Sequence, residues 1–267
     1  MSYRTFFGFK KEPFSSDLDS DSVLETEALK AVHKRVEYVM RLGAIGLVTG
    51  EVGAGKSTAL RWTVGKFHPS KHKILWVTAG SGSILELYRQ LLAEFDIPTA
   101  SSSKAFLTRL IKEQIVNCIS QLYVQPLLII DEASLLRIEV FRELHTLTQF
   151  QGDSKPWLPI ILVGQRSLAD NLLHRTVSPL SSRIVARTHL EAVNREDMER
   201  YINHHLTVAG LKRPIYESNA ITAIHQGSGG LYRRANNLAR GALISASADQ
   251  TLKVTAEHVR QADSELI

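Results

Sequence analysis

The stretch L-V-T-G-E-V-G-A-G-K-S-T, residues 47–58, decides the fold of this chain because it fits the pattern G-x-x-x-x-G-K-[ST] at every required position. The apolar run Ile45–Val48 predicts a buried strand before the loop, and a helix is expected to begin near Lys56. Glycines let the N–H groups of such a loop point at a phosphate, and the helix N-terminus adds partial positive charge. The predicted nucleotide-binding residues are Gly50, Glu51, Val52, Gly53, Ala54, Gly55, Lys56, Ser57 and Thr58.

A second acidic site is expected where the apolar run Leu127–Ile130 ends in Asp131 and Glu132. This pattern is typical of a buried strand whose tip carries the acidic groups of a phosphate-hydrolysing site. Lys56 is expected to reach the β- and γ-phosphates of ATP, while Ser57 and Asp131 hold Mg²⁺. Glu132 is the candidate general base that activates water. The structural alternative is a strand that ends in a helix-capping Asp.

Gln165 and an arginine extend the predicted site. Gln165 ends the next buried run, residues 159–165, so a parallel sheet would place it beside Asp131, where it would orient the water or sense the γ-phosphate. Arg183, just before the last predicted core strand, is a candidate arginine finger for a neighbouring subunit, and Arg187 is its competitor. The alternatives are a solvated strand end for Gln165 and a surface salt bridge for Arg183.

Two adjacent arginines, Arg233 and Arg234, begin a predicted helix near the C-terminus. Cations at a helix start oppose the helix dipole, so at least one of the two is expected to have an anionic partner. Either is a candidate to lean over the nucleotide and couple its state to the angle between domains.

Strand-like runs that alternate with helical patterns predict an α/β fold with a parallel sheet and helices on both faces. From Asn194 onward the pattern is helical only. We therefore expect an α/β nucleotide-binding domain in residues 1–190, on which the aromatic segment Phe6–Phe14 packs, and an α-helical lid domain in residues 191–267. The predicted strands are 45–48, 74–78, 127–130, 159–165 and 184–188.

Composition limits the class of protein. The chain has 267 residues, of which 44% are hydrophobic, and its formal charge of +5 lies entirely in residues 1–190. This excess is compatible with a polyanionic partner and also with ordinary surface charge. Cys118 is the only cysteine, so no disulfide can form within the chain, which fits a reducing compartment. Met1–Lys11 has no apolar core of a signal peptide, and no stretch reaches the roughly 20 apolar residues of a membrane span. A cytoplasmic protein is expected.

Together these residues resemble the AAA+ ATPases of the ExeA group over nearly the whole chain. The resemblance implies a P-loop AAA+ sheet followed by a small all-α lid, with Gln165 as sensor 1, Arg183 as arginine finger and Arg233 as sensor 2. Tyr232 replaces the usual proline of the sensor 2 motif, which leaves Arg233 as the match. The segments that carry the resemblance are F-F-G-x-x-x-x-P-F at 6–14, T-G-E-x-G-x-G-K-S at 49–57, L-L-I-I-D-E-A at 127–133, L-V-G-Q at 162–165, S-R-I at 182–184 and G-L-Y-R-R-A-N at 230–236. The last of these is similar to the sensor 2 motif G-x-P-R-x-x-N.

The same module is similar to two functional groups. In the secretion ATPase ExeA it is followed by a transmembrane segment and a peptidoglycan-binding domain, neither of which follows here before Ile267. The other group comprises stand-alone transposition ATPases related to TniB, TnsC and IstB. For these the resemblance implies ATP-dependent assembly, as a ring or helical filament, on double-stranded DNA, and recruitment or stimulation of a transposase. Length, charge and the lack of a membrane element favour this second group, and an ExeA-like role in secretion is the alternative.

The predicted DNA contacts lie at two helix starts and are Ser83, Ser103 and Lys104. Their hydroxyl, N–H and ammonium groups suit phosphate contacts, which position DNA without reading its sequence, so little sequence specificity is expected. Ordinary helix caps are the structural alternative. A functional alternative is a nucleotide-gated scaffold whose slow hydrolysis serves only to release DNA.

Overall fold

A parallel sheet forms the centre of the α/β part of the chain. The computed structural model describes residues 2–266, so Met1 and Ile267, at the ends of the expected domains, lie outside the described residues. The expected parallel sheet is confirmed, with five strands in the order β2-β3-β4-β1-β5. The strands are β1 (Ile45–Gly50), β2 (His72–Thr78), β3 (Gln125–Asp131), β4 (Ile160–Gly164) and β5 (Ile184–Leu190).

Helices connect the strands and form the C-terminal part of the described chain. In residues 2–266 no helix combines the length and the apolar character needed to cross a membrane. Short 3-10 turns cover Ser20–Ser22, Ala133–Leu135 and Arg175–Val177. The α-helices are α1 (Tyr3–Phe7), α2 (Glu27–Leu42), α3 (Lys56–Val64), α4 (Ile84–Ala93), α5 (Lys104–Ser120), α6 (Ile138–Leu147), α7 (Ser167–Leu172), α8 (Ser178–Ser181), α9 (Arg195–Val208), α10 (Ser218–Ser228), α11 (Tyr232–Ala248) and α12 (Ala256–Glu265).

The described chain divides into two compact units. The sheet unit consists of Thr26–Gly50 and Lys56–Leu190, and the helical unit consists of residues 2–25, Glu51–Gly55 and residues 191–266. The five residues at the tip of the phosphate loop therefore belong with the C-terminal helices, although the chain on either side of them belongs to the sheet unit.

Both faces of the sheet are buried inside the sheet unit, as a doubly covered parallel sheet requires. Leu128 and Leu162 point to one face, where they join the core formed with Tyr88 of α4 and the helices α5 and α6. On the other face, Ile161 and Val39 of α2 both pack against Gly46 of β1, since a Cβ there would lie 2.8 Å from Ile161 and 2.9 Å from Val39. This explains why the strand segments read as continuous apolar runs rather than as alternating patterns.

The aromatic segment that the sequence assigns to the nucleotide-binding domain belongs instead to the helical unit. Phe7, Phe9 and Phe14 are buried in one core with residues of α9, α10 and α11. The backbone N–H of Lys10 donates a hydrogen bond to the carbonyl of Ala209 at 2.8 Å, which fixes the segment beside the end of α9. The aromatic content predicts burial of these rings, but it carries no information about which part of the chain covers them.

Two helices of the helical unit begin at capping residues. Asn194 caps α9, because its side chain accepts a hydrogen bond from the N–H of Asp197 at 2.8 Å. Thr255 caps α12 in a capping box, in which His258 takes the place of the more common Glu or Gln.

We predict that Phe14→Ala lowers the free energy of unfolding by about 3–5 kcal/mol, because Phe14 is 1% exposed and its removal leaves a cavity among aromatic rings. Denaturant unfolding followed by circular dichroism measures the loss. Phe106→Ala is the matched control, since Phe106 is 40% exposed on α5 and its truncation costs much less. Equal losses for the two variants would contradict the placement of the N-terminal segment in the core.

Candidate functional site

The phosphate loop connects β1 to α3 with two glycines in the left-handed region. Gly53 and Gly55 have φ values of +87° and +91°, where a side chain is disfavoured. Lys56 opens α3, its side chain is buried, and its Nζ donates a hydrogen bond to the carbonyl of Gly50 at 2.9 Å. The ammonium group is thereby held at the loop, where a cation must lie to contact bound phosphates.

A hydroxyl and a carboxylate meet beside this loop. Ser57 lies in the first turn of α3, and Asp131 is the last residue of β3. Ser57 Oγ donates a hydrogen bond to Asp131 Oδ2 at 3.0 Å, and Asp131 is buried. Oxygen ligands of this kind are those that Mg²⁺ takes in phosphate-binding sites. Because the two oxygens lie side by side, the pair fits the predicted Mg²⁺ site.

Glu132 adopts a conformation that is unusual for a residue with a side chain. Its φ is +52°, in the left-handed region, and its N–H donates a hydrogen bond to Asp131 Oδ1 at 2.9 Å. A non-glycine residue in this region costs roughly 1–3 kcal/mol and persists only where the surroundings impose it, most often at functional sites. No glycine in the sequence just after β3 predicts this left-handed backbone at Glu132.

Gln165 leaves the sheet at the same edge as Asp131. β4 lies between β3 and β1, and its last residue Gly164 pairs with Thr49, the residue before the loop glycine Gly50. β3 flanks β4 on the other side and ends at Asp131. The half-buried Gln165 therefore follows the strand that lies between β1 and β3, and its place beside Asp131 stays a prediction.

Ser134 joins the Glu132 turn to the end of β4 and was not foreseen from the sequence. Its Oγ accepts a hydrogen bond from the N–H of Gln165 at 3.4 Å. A Cβ added to Gly164 would lie 2.9 Å from the Ser134 nitrogen, so only glycine lets the two segments approach this closely. Ser134 and Gly164 are 30 positions apart, and the sequence around neither residue indicates the contact.

Arg183 lies where the strands begin, at the opposite end of the strands from these groups. It directly precedes β5, whereas Asp131 and Gln165 lie where β3 and β4 end. The strands contain five to seven residues, which at about 3.3 Å per residue separates the two edges by roughly 17–23 Å. The structure thus brings Lys56, Ser57, Asp131, Glu132 and Gln165 to one edge and leaves Arg183 away from it.

The Arg183 guanidinium has a partner within the same chain. Its Nη2 lies 2.6 Å from Asp153 Oδ2, in the loop between α6 and β4. This hydrogen bond holds the pKa of the Asp153 carboxyl below its usual value. The salt bridge weighed as the structural alternative for Arg183 is therefore present. The competitor Arg187 lies in the middle of β5, opposite Leu47, and is exposed.

In the helical unit, Arg233 and Arg234 differ in their partners. Arg234 Nη2 lies 3.2 Å from Asp263 Oδ1, which supplies the expected anion at the start of α11. The Arg233 side chain is exposed and has no ion pair with residues 2–266. Its backbone N–H donates to the carbonyl of Gly53 at 3.3 Å, so the start of α11 contacts the tip of the phosphate loop.

The three residues predicted to contact DNA differ in their hydrogen bonds and ion pairs. Ser103 caps α5, since its Oγ accepts from the N–H of Phe106 at 3.3 Å, as the structural alternative requires. Lys104 forms an ion pair with Glu143 at 3.0 Å, beside a groove of about 730 Å³ along α5. Ser83 precedes α4 but makes no capping hydrogen bond with its side chain. No feature of these contacts distinguishes a DNA site from ordinary surface structure.

Comparisons with known proteins agree with this geometry. Residues 40–172 match the family model described as AAA domain. The match includes the phosphate loop, Asp131, Glu132 and Gln165. Against solved structures, the chain resembles the Cdc6p protein of Pyrobaculum aerophilum with a TM-score of 0.76 and 15% identity, over 95% of this chain and 70% of that one. The fold is therefore that of the P-loop AAA+ ATPases, as expected.

Two further comparisons extend the similarity. General secretion pathway protein A of Aeromonas hydrophila is 29% identical over 254 residues, which are 94% of this chain and 46% of that protein. The chain thus spans about half the length of this relative, and the similarity confirms the resemblance to the ExeA group. The structure of Drosophila ORC bound to DNA aligns with a TM-score of 0.67 and 15% identity, over 99% of this chain and 65% of that one.

We predict that Gly164→Ala lowers the rate of ATP hydrolysis about tenfold or more while ATP affinity stays within about twofold of the unchanged chain. The added methyl group meets the Ser134 nitrogen and must displace the Glu132 turn, whereas the phosphate loop is untouched. Steady-state hydrolysis and nucleotide titration measure the two effects. Gly80→Ala is the control, because a Cβ there has its nearest contact at 3.9 Å. Normal hydrolysis by Gly164→Ala would contradict the close packing as a requirement of the site.

Proposed function

We propose that the chain is an ATPase that binds ATP with Mg²⁺ and hydrolyses it at an interface between two copies of itself. The observation that carries this proposal is the position of Arg183 at the sheet edge opposite Lys56 and Asp131. Charge that spreads over the γ-phosphate during hydrolysis needs a cation, and Arg183 is too far away to supply it within its own chain. A second copy that presents its Arg183 edge to the phosphate loop of the first completes the site.

Each residue at the loop edge then has one task. Lys56 contacts the β- and γ-phosphates, while Ser57 and Asp131 provide the oxygen atoms that hold Mg²⁺, which supplies charge neutralisation when bound. Glu132 accepts a proton from the attacking water, and the Gln165 side chain orients that water. The left-handed backbone of Glu132 supports this role, because a residue with a side chain persists in this conformation most often at functional sites.

Arg233 is proposed as the lid residue that senses the nucleotide. Arg234 already has Asp263 as its partner, whereas the Arg233 guanidinium is exposed and its backbone lies against Gly53 of the loop. These contacts favour Arg233 over Arg234, in agreement with the alignment of the sensor 2 motif.

We predict that Glu132→Gln keeps ATP affinity within about twofold but lowers kcat about 100-fold or more, because the amide cannot accept the proton from water. Lys56→Ala, in contrast, is expected to abolish nucleotide binding. Titration with a fluorescent ATP analogue and steady-state hydrolysis separate the two outcomes. Glu139→Gln, an exposed glutamate in the first turn of α6, is the matched control. Wild-type turnover by Glu132→Gln would remove Glu132 from the general-base role.

We predict that Arg183→Ala lowers hydrolysis about 1,000-fold, as expected for loss of an arginine finger. Mixing this variant with Lys56→Ala is expected to restore part of the activity. A mixed interface joins the intact phosphate loop of the first variant to the intact Arg183 of the second. Hydrolysis measured across mixing ratios tests whether Arg183 acts on a neighbouring subunit.

Arg187→Ala serves as the comparison in the same experiment. Arg187 lies in the middle of β5, whereas Arg183 directly precedes that strand, so removal of Arg187 leaves the start of the strand unchanged. If Arg187→Ala and not Arg183→Ala abolishes hydrolysis, the arginine finger is Arg187. If the two Arg183 and Lys56 variants fail to complement each other, the trans arrangement is wrong.

We further propose that the subunits assemble on double-stranded DNA and that they recruit or stimulate a transposase. Support comes from the resemblance to the TniB, TnsC and IstB proteins, from the positive charge in residues 1–190, and from the DNA-bound ORC structure that shares the fold. The proposed site of action is the cytoplasm. Binding would rest on phosphate contacts and show little sequence specificity.

A role in the assembly of a secretion system is the second candidate. One specific observation favours it, namely the similarity to general secretion pathway protein A over 94% of this chain. Both candidates require the same ATPase site, so the ATPase experiments above do not distinguish them.

We predict that a non-hydrolysable ATP analogue drives long assemblies on duplex DNA, because phosphate contacts at each interface tie neighbouring subunits together. Log K for binding should fall linearly with log salt, by about 0.9 per phosphate neutralised. Electron microscopy and salt-dependent binding to two unrelated duplexes of equal length measure this. Lys56→Ala is the control that should form no such assemblies. Assemblies that ignore DNA but bind cell-wall polymer would contradict the transposition proposal and support the secretion candidate.

A further inference from the structure

Tyr232 occupies the first position of α11, where the resembling motif has proline. Proline is favoured at this position because the N–H there has no partner within the helix. The preceding residue, Leu231, has extended backbone and provides no side-chain cap. The helix therefore begins at position 232 with tyrosine, as the motif implies for proline. The substitution changes the side chain that packs beside the start of the helix.

The Tyr232 ring lies directly on the phosphate loop. A Cβ built on Gly55 would be 3.3 Å from Tyr232 Cδ2 and 3.5 Å from its Cε2, so the ring covers the α-carbon of that glycine. Gly55 has a φ of +91° and directly precedes Lys56. One residue further along α11, the N–H of Arg233 donates to the Gly53 carbonyl at 3.3 Å. The first turn of α11 thus contacts both left-handed glycines of the loop.

The ring is held from behind by a second aromatic residue. The Tyr201 ring of α9 lies 4.5 Å from the Tyr232 ring, centroid to centroid, and Tyr201 Oη donates to Asn236 Oδ1 at 2.9 Å. Burial raises the pKa of Tyr232 to about 12, so it stays a neutral phenol in ordinary buffers. In residues 2–266 no hydrogen bond to the Tyr232 hydroxyl is found, so the ring face provides the contact.

We infer that Tyr232 is a positioning residue for the nucleotide phosphates. Its ring, supported by Tyr201, holds Gly55 in the left-handed conformation that turns the N–H groups of the loop toward a bound phosphate. A loop that is already in the binding conformation loses less freedom when the nucleotide binds, so the ring strengthens binding without touching the reacting atoms. This inference rests on the proposed function, because it assumes that the loop binds nucleotide.

The test measures ATP and ADP affinity in the full chain by titration with fluorescent analogues. Tyr232→Ala should weaken both affinities about tenfold, which corresponds to about 1.4 kcal/mol, and change kcat at saturating ATP by less than about twofold. Tyr232→Phe should bind within about twofold of the unchanged chain, since the ring is kept. Tyr123→Ala is the matched control, because Tyr123 is 84% exposed outside the site and should leave affinity unchanged.

A double substitution tests the contact itself. Gly55→Ala should weaken binding in the unchanged chain, partly because its methyl group meets the Tyr232 ring. In the Tyr232→Ala background the same change should cost a smaller factor, since the ring is absent. Equal factors in the two backgrounds would overturn the inference, as would unchanged affinity in Tyr232→Ala or an equally weak Tyr232→Phe.

Thermal unfolding of each variant separates these effects from misfolding. If Tyr232→Ala does not fold, Tyr232→Leu replaces it, because leucine keeps an apolar side chain against Tyr201 but has no flat ring. Tyr232→Leu should show the same loss of affinity. Normal binding by this variant would also overturn the inference. Lys56→Ala keeps the two proposals distinct. ATP binding by Lys56→Ala as tight as by the unchanged chain would defeat the proposed function, whereas failure of the Tyr232 arm alone would defeat only this inference.

Discussion

The parallel pairing of β3, β4 and β1 is the interaction on which the site depends. Because the strands run the same way and are in register, their last residues come to one edge, and side chains that are distant in sequence become neighbours. Asp131 lies 74 residues beyond Ser57 in the chain, so local sequence does not bring the two side chains together. A slip of one residue in β3 would turn Asp131 to the other face and remove its hydrogen bond with Ser57.

Three residues with a left-handed backbone lie where the chain leaves the C-terminal ends of these strands. Gly53, Gly55 and Glu132 all have positive φ, and each is held by a specific neighbour. The Gly53 carbonyl accepts from the N–H of Arg233, Gly55 lies under the Tyr232 ring, and the Glu132 N–H donates to Asp131. For Glu132 this conformation is unfavourable alone and persists because surrounding contacts impose it, whereas the two glycines adopt it without a steric penalty. The backbone of the site is therefore in contact with residues outside the loop as well as within it.

The sequence predicts what depends on local pattern and misses what depends on contacts across the chain. The loop at residues 50–58 and the apolar run before Asp131 are local signals, and both lie where expected. The place of Phe14 in the helical unit, the contact of Ser134 with Gly164 and the pair of Arg183 with Asp153 join segments at least 30 residues apart. Each involves residues whose types fit an ordinary surface or core, so only the folded chain identifies their partners.

The Asp153 partner of Arg183 has a consequence under the proposed function. Both side chains are partly exposed, and an exposed ion pair of this kind is weak because water competes for both groups. The carboxylate of Asp153 offers one negative charge, whereas a γ-phosphate on a neighbouring subunit offers more charge and several oxygen acceptors. Arg183 would therefore exchange Asp153 for the γ-phosphate when ATP is present, and return to Asp153 after the phosphate is lost. The same exchange would make the contact between subunits depend on the bound nucleotide. It would need no change in the sheet, which positions Arg183 at one end of its strands and the nucleotide site at the other.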